Sequence, residues 1–262
     1  MSIREKLIRA NWVMSEQFGL DLVRLCNSFK GVFYFFRDLY LFSRTFNGRL
    51  SIVPCLHDRY QQGGSTNNEY FIQDFWVARE IFSALPKKHV DIGSRVDGFV
   101  AHVASYREIE VFDVRPLRLD LPGIVFKQAN LMDFNNDLLA RGYCDSLSCL
   151  HAIEHFGLGR YGDPIDPLGY EKGIANMASL LIPKGVFYLS TPIGSERVEF
   201  NANWVFDPRT IINVANKSGL TLRDFYIISG GLISKWEASA ENLATLGNTS
   251  YNLGLFIFTK NG

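Results

Sequence analysis

The chain has 262 residues, 47% of them apolar, so it can bury a substantial core as one α/β domain with an accessory segment. Lys and Arg number 27, as do Asp and Glu, and this net charge of zero gives no broad attraction to nucleic acid or anionic lipid. The four cysteines form no C-x-x-C pair, which favours free thiols in a reducing compartment. We therefore predict a cytoplasmic protein that does not bind nucleic acid.

The first predicted element, residues 2 to about 46, is one or two helices without an internal turn signal. Eight of the 18 residues from Phe29 to Phe46 are aromatic. Arg37 and Asp38 interrupt this patch and basic residues are sparse, so a helical cap on the main domain is favoured over a membrane-surface helix. Docking to a lipid-linked substrate stays open as the second interpretation.

The sequence predicts no transmembrane segment. The first residues are charged and offer no signal-peptide core, and the longest apolar patch, Gly31 to Phe36, is far below spanning length. A polar stretch that ends near residue 68 separates the helices from the rest of the chain. We predict a helical N-terminal extension and loop at 1–68, and a main domain at 69–262.

Strands and helices alternate in the main domain. Strands are predicted at 89–92, 109–113, 124–127, 145–150, 186–190, 222–229 and 252–260, and helices at 69–85, 99–105, 137–141, 169–181 and 208–218. Such alternation is typical of a mainly parallel sheet covered by helices.

The most informative segment runs from residue 89 to Asp113. Gly93 and Gly98 bracket a tight turn after the first strand, and Asp113 ends the next strand 20 positions after Gly93. In an open α/β sheet such a turn lets the backbone approach a nucleoside, and the carboxylate accepts hydrogen bonds from both ribose hydroxyls. The segment GSRVDG lacks the middle glycine that contacts a pyrophosphate, which favours S-adenosylmethionine over a dinucleotide.

Three polar positions at or after strand ends also have structural interpretations. An ion pair with Arg115 or Arg118 is an alternative role for Asp113. Asn130 and Asp133 follow the third strand, where their side chains suit the amino group of an adenine, but an ordinary Asx turn is equally compatible.

Residues 151–167, HAIEHFGLGRYGDPIDP, hold the densest cluster of reactive side chains in the chain. A long glycine-rich and proline-rich loop in a compact domain is usually functional, so we place the substrate here. Asn203, beside Trp204, follows the fifth strand and borders the same predicted mouth; amides and aromatic rings suit a sugar. The reactive side chains of the loop are those of His151, Glu154, His155, Arg160, Tyr161, Asp163 and Asp166.

The segments HVDIGSRVDGFVAH, SLSCLHAIEHFGLGRYGDPIDP and STPIG resemble the family catalogued as domain of unknown function 268. Over about residues 70 to 260 the pattern is similar to class I S-adenosylmethionine-dependent methyltransferases. The resemblance implies a Rossmann-like α/β fold with a seven-stranded, mostly parallel sheet, whose last strand is antiparallel and inserted beside the sixth. It assigns the cofactor's methionine part to Asp91, Gly93 and Ser94, its ribose to Asp113, and its adenine to Asn130 with the backbone of Leu131.

We expect a methyltransferase that uses S-adenosylmethionine to methylate an oxygen, or less favourably a nitrogen, of a sugar or glycan precursor, as in polysaccharide biosynthesis. His151 or His155 is the candidate base, and Asp163 or Glu154 orients it or replaces it. The substrate contacts are assigned to Arg160, Tyr161, Asp166 and Asn203 of this loop region.

Three alternatives stay open. The incomplete glycine turn suits a methyltransferase-shaped binding or scaffold protein without catalysis. HAIEH matches the H-x-x-E-H pattern of zinc peptidases, although little helix is predicted there to orient two ligands, and no metal is assigned. A nicotinamide-dependent oxidoreductase is the third.

Overall fold

The computed structural model describes residues 3–60, 68–118, 120–133 and 141–262, without the side chains of 3–9 and 16. The chain forms two compact units, Met1–Ser65 and Thr66–Gly262. The predicted division into a helical extension and loop at 1–68 and a main domain at 69–262 stays a prediction. Residues 137–140 of the predicted helix at 137–141 lie outside the described residues.

The described part of the first unit contains helices α1 (Ile3–Phe18) and α2 (Leu22–Ser43) and a 3-10 turn at Asp58–Tyr60. Helix α2 begins where the Asp21 carboxylate accepts a hydrogen bond of 2.9 Å from the backbone N–H of Arg24. A Cβ at Gly31 would lie 1.9 Å from the carbonyl oxygen of Leu56, so the helix packs closely on that segment. No helix in the described ranges is long and apolar enough to cross a membrane.

The second unit holds five α-helices and ten strands among its described residues. The helices are α3 (Glu69–Ala84), α4 (Ala101–Ala104), α5 (Gly169–Leu180), α6 (Pro208–Lys217) and α7 (Ala240–Gly247). The strands are β1 (His89–Ile92), β2 (Ile109–Asp113), β3 (Ile124–Gln128), β4 (Cys144–Leu150), β5 (Leu181–Ile193), β6 (Arg197–Glu199), β7 (Asn203–Val205), β8 (Leu220–Ser229), β9 (Leu232–Lys235) and β10 (Asn252–Lys260).

Eight strands form one sheet in the order β3-β2-β1-β4-β5-β10-β8-β9, and β6 pairs with β7 in a separate hairpin. Strands β1 to β5 pair in parallel, whereas β10 is antiparallel to both of its neighbours, β5 and β8. The predicted Rossmann-like α/β sheet with an inserted antiparallel last strand is confirmed.

The predicted count of seven strands is wrong, because β9 adds an eighth at the edge of the sheet. It pairs antiparallel with β8 across Gly230 and Gly231, whose φ angles are 58° and 84°. Two consecutive glycines in the left-handed region form the tight turn that suits a two-residue hairpin. No strand was predicted for residues 232–235.

Helices cover both faces of the sheet. Val111 of β2 belongs to the core formed with α3 and α4, whereas its neighbour Phe112 belongs to the core formed with α5, α6 and α7. Because successive strand residues point to opposite faces, the two cores lie on opposite sides of the sheet. This three-layer packing holds the strand ends, and the loops that follow them, in fixed positions.

Candidate active site

The order of the sheet changes direction between β1 and β4. From β1 the chain proceeds outward to β2 and β3, and it then returns to build β4 and β5 on the other side. In open α/β sheets ligands bind outside the carboxyl ends of the strands at such a switch point. A Cβ at Gly93, after β1, would lie 3.0 Å from the Cβ of Ala152, after β4. The glycine turn and the HAIEH segment therefore meet at this edge.

The turn after β1 is braced by a buried carboxylate. Asp91 is fully buried and accepts hydrogen bonds from the Ser94 backbone N–H at 3.0 Å, the Ser94 hydroxyl at 2.8 Å and the Ser148 hydroxyl at 2.5 Å. Burial raises the pKa of Asp91 to about 7. Gly93, at φ 76°, donates its N–H to the carbonyl of Phe112 at 2.8 Å. The three residues predicted to hold the methionine part thus lie together, beside the end of β2.

Asp113 ends β2, as predicted, and forms the ion pair with Arg115 that was its alternative role. The Arg115 Nε lies 3.0 Å from one carboxylate oxygen, and a terminal nitrogen lies 2.5 Å from the other. The guanidinium carbon of Arg115 in turn lies 4.6 Å from the centroid of the Tyr161 ring. Arg115 thereby connects Asp113, the residue predicted to bind the ribose, to the predicted substrate loop.

At the predicted adenine position, the Asn130 side chain forms an Asx turn. Its Oδ1 accepts a hydrogen bond of 3.0 Å from the backbone N–H of Met132. The side chain of Leu131 is buried, and the Leu131 carbonyl accepts a hydrogen bond of 2.7 Å from the Asn176 amide. This turn is therefore anchored to α5.

His151 directly follows β4 and is held by two elements distant in sequence. Its backbone has φ 50° and donates to the Ser190 carbonyl at 3.1 Å. Its ring stacks on Tyr70 with the centroids 4.3 Å apart, and its Nδ1 lies 3.1 Å from Oε1 of Gln73. Burial lowers the pKa of His151 to about 3, so the ring is neutral near neutral pH.

The buried amide of Gln73 fixes the tautomer of that ring. Its nitrogen donates to the Asp74 carboxylate at 2.9 Å, so its oxygen faces His151 and also accepts the Ser190 hydroxyl. An amide oxygen only accepts, and the proton of the neutral imidazole therefore lies on Nδ1. The Nε2 of His151 is left with a lone pair.

Glu154 and His155 form a second buried pair. Glu154 is 1% exposed, its Oε2 lies 3.5 Å from the Thr191 hydroxyl, and burial raises its pKa to about 8. His155 Nδ1 donates to the Ala202 carbonyl at 2.7 Å, which turns Nε2 towards Glu154 at 3.8 Å. Burial lowers the pKa of His155 to about 4. Near neutral pH the pair is a protonated carboxyl beside a neutral imidazole.

The two aspartates of the loop make contacts that shape its backbone. The Asp163 carboxylate accepts the backbone N–H groups of Gly157, Gly159 and Tyr161 at 3.0, 3.2 and 3.2 Å. Asp166 accepts the Leu168 N–H at 2.9 Å and pairs with Lys172 at 2.6 Å, next to the start of α5. Neither carboxylate contacts a predicted catalytic histidine in the described structure.

The remaining predicted substrate residues surround the same loop. Arg160 donates to the Ala202 carbonyl at 2.9 Å, the acceptor that also holds His155. Tyr161 meets the His155 ring edge-on at 5.4 Å. Asn203, in β7, donates its amide to the Trp204 carbonyl at 2.9 Å. Arg160 and Tyr161 are therefore adjacent to a candidate base, while Asn203 stabilises the neighbouring hairpin.

Tyr70, Gln73 and Ser190 were not predicted to belong to the site. A helix was predicted at 69–85 without any site residue, yet Gln73 and Asp74 share the buried side of α3 with Val77 and Ala78. Two polar residues on the core-facing side of an amphipathic helix were the available signal, because buried polar groups require partners.

The HAIEH segment does not form the helix that the zinc-peptidase pattern requires. Only a 3-10 turn at Ile153–His155 follows β4, and the two imidazoles contact different partners, Gln73 and Ala202. Within the described ranges, no three His, Cys, Asp or Glu side chains lie together in a group that could hold a metal ion.

Residues 127–214 match the family described as Caenorhabditis protein of unknown function, DUF268. The predicted family resemblance is confirmed. The DUF268 segment extends from β3 to α6 and contains Asn130, both histidines and the whole substrate loop. No curated protein matches the sequence.

Solved structures show the same fold at low identity. A candidate sarcosine dimethylglycine methyltransferase from Galdieria sulphuraria is 14% identical with a TM-score of 0.51, covering 72% of this chain and 86% of its own. The N-methyltransferase NodS from Bradyrhizobium japonicum, in complex with S-adenosyl-L-homocysteine, is 14% identical with a TM-score of 0.50, covering 77% and 90%. The chain therefore shares the fold of these two methyltransferase structures, and the DUF268 segment lies within that fold.

Proposed function

We propose that the protein is an S-adenosylmethionine-dependent methyltransferase whose cofactor binds between the ends of β1, β2 and β4. The observation that carries this proposal is the hydrogen bond of 2.8 Å from Gly93 to Phe112, which puts the glycine turn directly beside Asp113. A nucleoside site of this fold needs that pairing of turn and carboxylate. NodS, which shares the fold, was crystallised with S-adenosyl-L-homocysteine.

The proposed cofactor contacts divide between direct and supporting roles. Gly93 gives the methionine part room, Asp113 accepts the ribose hydroxyls, and the Asn130-Leu131 turn borders the adenine. Asp91 is fully buried on Ser94 and Ser148, so it supports the turn. The cofactor, when bound, supplies an electrophilic methyl group on a sulfonium.

Arg115 competes with a bound ribose for the carboxylate of Asp113. Its bidentate contacts of 2.5 and 3.0 Å occupy both carboxylate oxygens, and a ribose diol needs the same atoms. We therefore expect a bound ribose to compete with Arg115 for the Asp113 carboxylate. The Tyr161 ring, 4.6 Å from the guanidinium, offers a neighbouring cation–π position.

On the acceptor side we assign separate roles to His151 and Glu154. His151 stays neutral, and its Nε2 lone pair accepts and orients the acceptor hydroxyl. Methyl transfer from the sulfonium to that hydroxyl would break the carbon–sulfur bond, and the hydroxyl proton would pass along its hydrogen bond to Nε2 and finally to the ionised Glu154 carboxylate. A pKa of about 8 suits this exchange better than the pKa of about 3 of His151 or about 4 of His155. Asp163 shapes the loop that surrounds these groups.

For the acceptor we propose a hydroxyl of a sugar or glycan precursor. Arg160 and Tyr161 lie beside His155, and together they offer charged donors and an aromatic face. Incubation with methyl-deuterated S-adenosylmethionine and a panel of nucleotide sugars and glycans tests this by mass spectrometry. Label on a sugar oxygen supports the proposal, whereas label only on amines overturns the acceptor class and keeps the methyltransferase.

A binding protein without catalysis is the second candidate. It is favoured by the Arg115 contacts that fill the Asp113 carboxylate, and by Arg95 and Val96 in the glycine turn. Saturable cofactor binding without label transfer to any acceptor supports this candidate.

A further inference from the structure

Helix α2 carries an exposed apolar face along its whole length, which we call the aromatic stripe. Spacings of three and four residues put its members on one side of the helix. Exposed patches of this kind in soluble proteins mark interaction sites. The stripe consists of Leu22 (52% exposed), Leu25 (52%), Phe29 (71%), Phe33 (71%), Phe36 (63%) and Tyr40 (61%).

The opposite side of α2 is already occupied within the first unit. Gly31 packs against the Leu56 backbone, where even a Cβ would lie 1.9 Å from the carbonyl oxygen. The Arg59 guanidinium lies 4.5 Å from the Tyr34 ring centroid and pairs with Asp38 at 2.5 Å. These contacts fix the rotation of the helix within its unit, with the stripe facing outward.

Positive charge accompanies the stripe, although the whole chain is neutral. Lys30, Arg37 and Arg44 recur every seven residues and therefore lie along one flank of it, where Arg37 also pairs with Asp38 at 2.6 Å. Residues 1–65 contain nine of the 27 Lys and Arg but five of the 27 Asp and Glu, a formal charge of +4. The other 197 residues contain 18 and 22, a formal charge of −4. The zero net charge conceals this asymmetry.

We propose that α2 lies flat on an anionic lipid surface, with the aromatic stripe in the headgroup boundary and the basic flank against lipid phosphates. Aromatic side chains favour that boundary, and Lys and Arg beside them add electrostatic attraction. A second copy of the chain fits less well, because two units of charge +4 would face each other. Binding of α2 to a membrane would bring the second unit to acceptor molecules held at that membrane.

Vesicle flotation of the full chain tests the proposal, with vesicles of phosphatidylserine and phosphatidylcholine in equal parts. The double variant Phe29→Ser, Phe33→Ser is expected to bind at least about tenfold more weakly, since two buried rings are lost. Val53→Ser is the control, because Val53 is 73% exposed but lies outside α2. It is expected to bind like the wild type.

A second variant, Lys30→Gln with Arg44→Gln, keeps the apolar face and removes charge. It is expected to lose the preference for anionic over neutral vesicles, as the wild type does at high salt. Circular dichroism checks that each variant is folded. The proposal is overturned if the wild type does not bind anionic vesicles, or if the serine variant binds them as well as the wild type does. A concentration-dependent dimer formed through the stripe, without vesicle binding, would also overturn it.

Discussion

Gly93 combines a left-handed backbone with a close neighbour, and both conditions select glycine. Its φ is 76°, and an added Cβ would lie 3.0 Å from that of Ala152. Gly230 shares the left-handed backbone, at φ 58°, but has open space around it. Substitutions at the two glycines can therefore be compared to separate the effect of backbone strain from that of side-chain crowding at the switch point.

Gly93→Ala is expected to lower the free energy of unfolding by about 2 kcal/mol or more, and Gly230→Ala by about 1 kcal/mol. Urea unfolding measures both changes. Calorimetry with S-adenosylmethionine is expected to show weakened binding for Gly93→Ala alone. Equal losses of cofactor affinity in the two variants would mean that the turn after β1 is not part of the site.

Glu154 gives the stability of the protein a definite pH dependence. Burial raises its pKa from 4.5 to about 8, so folding favours the protonated form. This contribution is fully present below about pH 4.5 and is lost as the pH rises through 8. The pKa of Asp91 is raised from 3.8 to about 7, so its contribution to stability is also lost as the pH rises, but at lower pH. The interval between pH 7 and 8 therefore reports mainly on Glu154.

Over that interval, without cofactor, the wild type is expected to lose up to about 1.4 kcal/mol of unfolding free energy, and Glu154→Gln much less. Denaturant titrations at the two pH values measure the loss. In turnover, activity is expected to rise as the pH approaches 8, and this rise should be absent from Glu154→Gln. A turnover profile of unchanged shape in Glu154→Gln would remove the base assignment.

At the scale of elements, α3 contributes to the site as well as to the core. Gln73 accepts from His151 and Ser190 and donates to Asp74, so one amide connects α3, β4 and β5. These contacts hold a ring whose backbone is itself in the left-handed region, at φ 50°. Gln73 is thus a positioning residue that acts through His151.

Gln73→Leu is expected to reduce kcat about tenfold with little change in KM, because the imidazole loses its fixed tautomer and orientation. Unfolding free energy should fall by about 1–3 kcal/mol, since the buried groups of His151, Ser190 and Asp74 each lose a partner. The specific readout is the nitrogen NMR spectrum of His151, in which the proton should no longer be confined to Nδ1. A spectrum identical to the wild type would contradict the assigned role.

Local patterns predicted most elements of the second unit, because its sheet is buried on both sides. Strand β10 contains a nearly continuous apolar run, β4 is buried along almost its whole length, and the helices between them show clear periodicity. Strand β9 was missed because it has four residues at an exposed edge. Such a strand is specified by pairing with β8 more than by its own composition.

The site was predictable only where it follows a strand end. His151, Glu154 and Asp113 come directly after β4 or at the end of β2, and topology alone brings these ends together. Gln73 could not be assigned in the same way, because its contact with His151 joins positions 78 residues apart. The Arg115 contact was foreseen as an alternative, since it needs a separation of only two residues.

At the scale of the whole molecule, one strand order explains why the proposed functional groups meet. Residues from the ends of β1, β2, β4 and β5 converge at the reversal between β1 and β4, and the DUF268 segment supplies the substrate loop over it. The proposed function therefore depends on a nucleoside cofactor at this edge, with Asp113 holding its ribose.

Calorimetric titration of the full chain with S-adenosylmethionine tests that claim most directly, with Asp113→Ala and Arg115→Met measured in parallel. We predict saturable binding by the wild type and a loss of about tenfold or more in Asp113→Ala, equivalent to about 1.4 kcal/mol. Arg115→Met, which frees the carboxylate, is predicted to bind at least as tightly as the wild type. Absence of wild-type binding at millimolar cofactor, or undiminished binding by Asp113→Ala, would contradict the account.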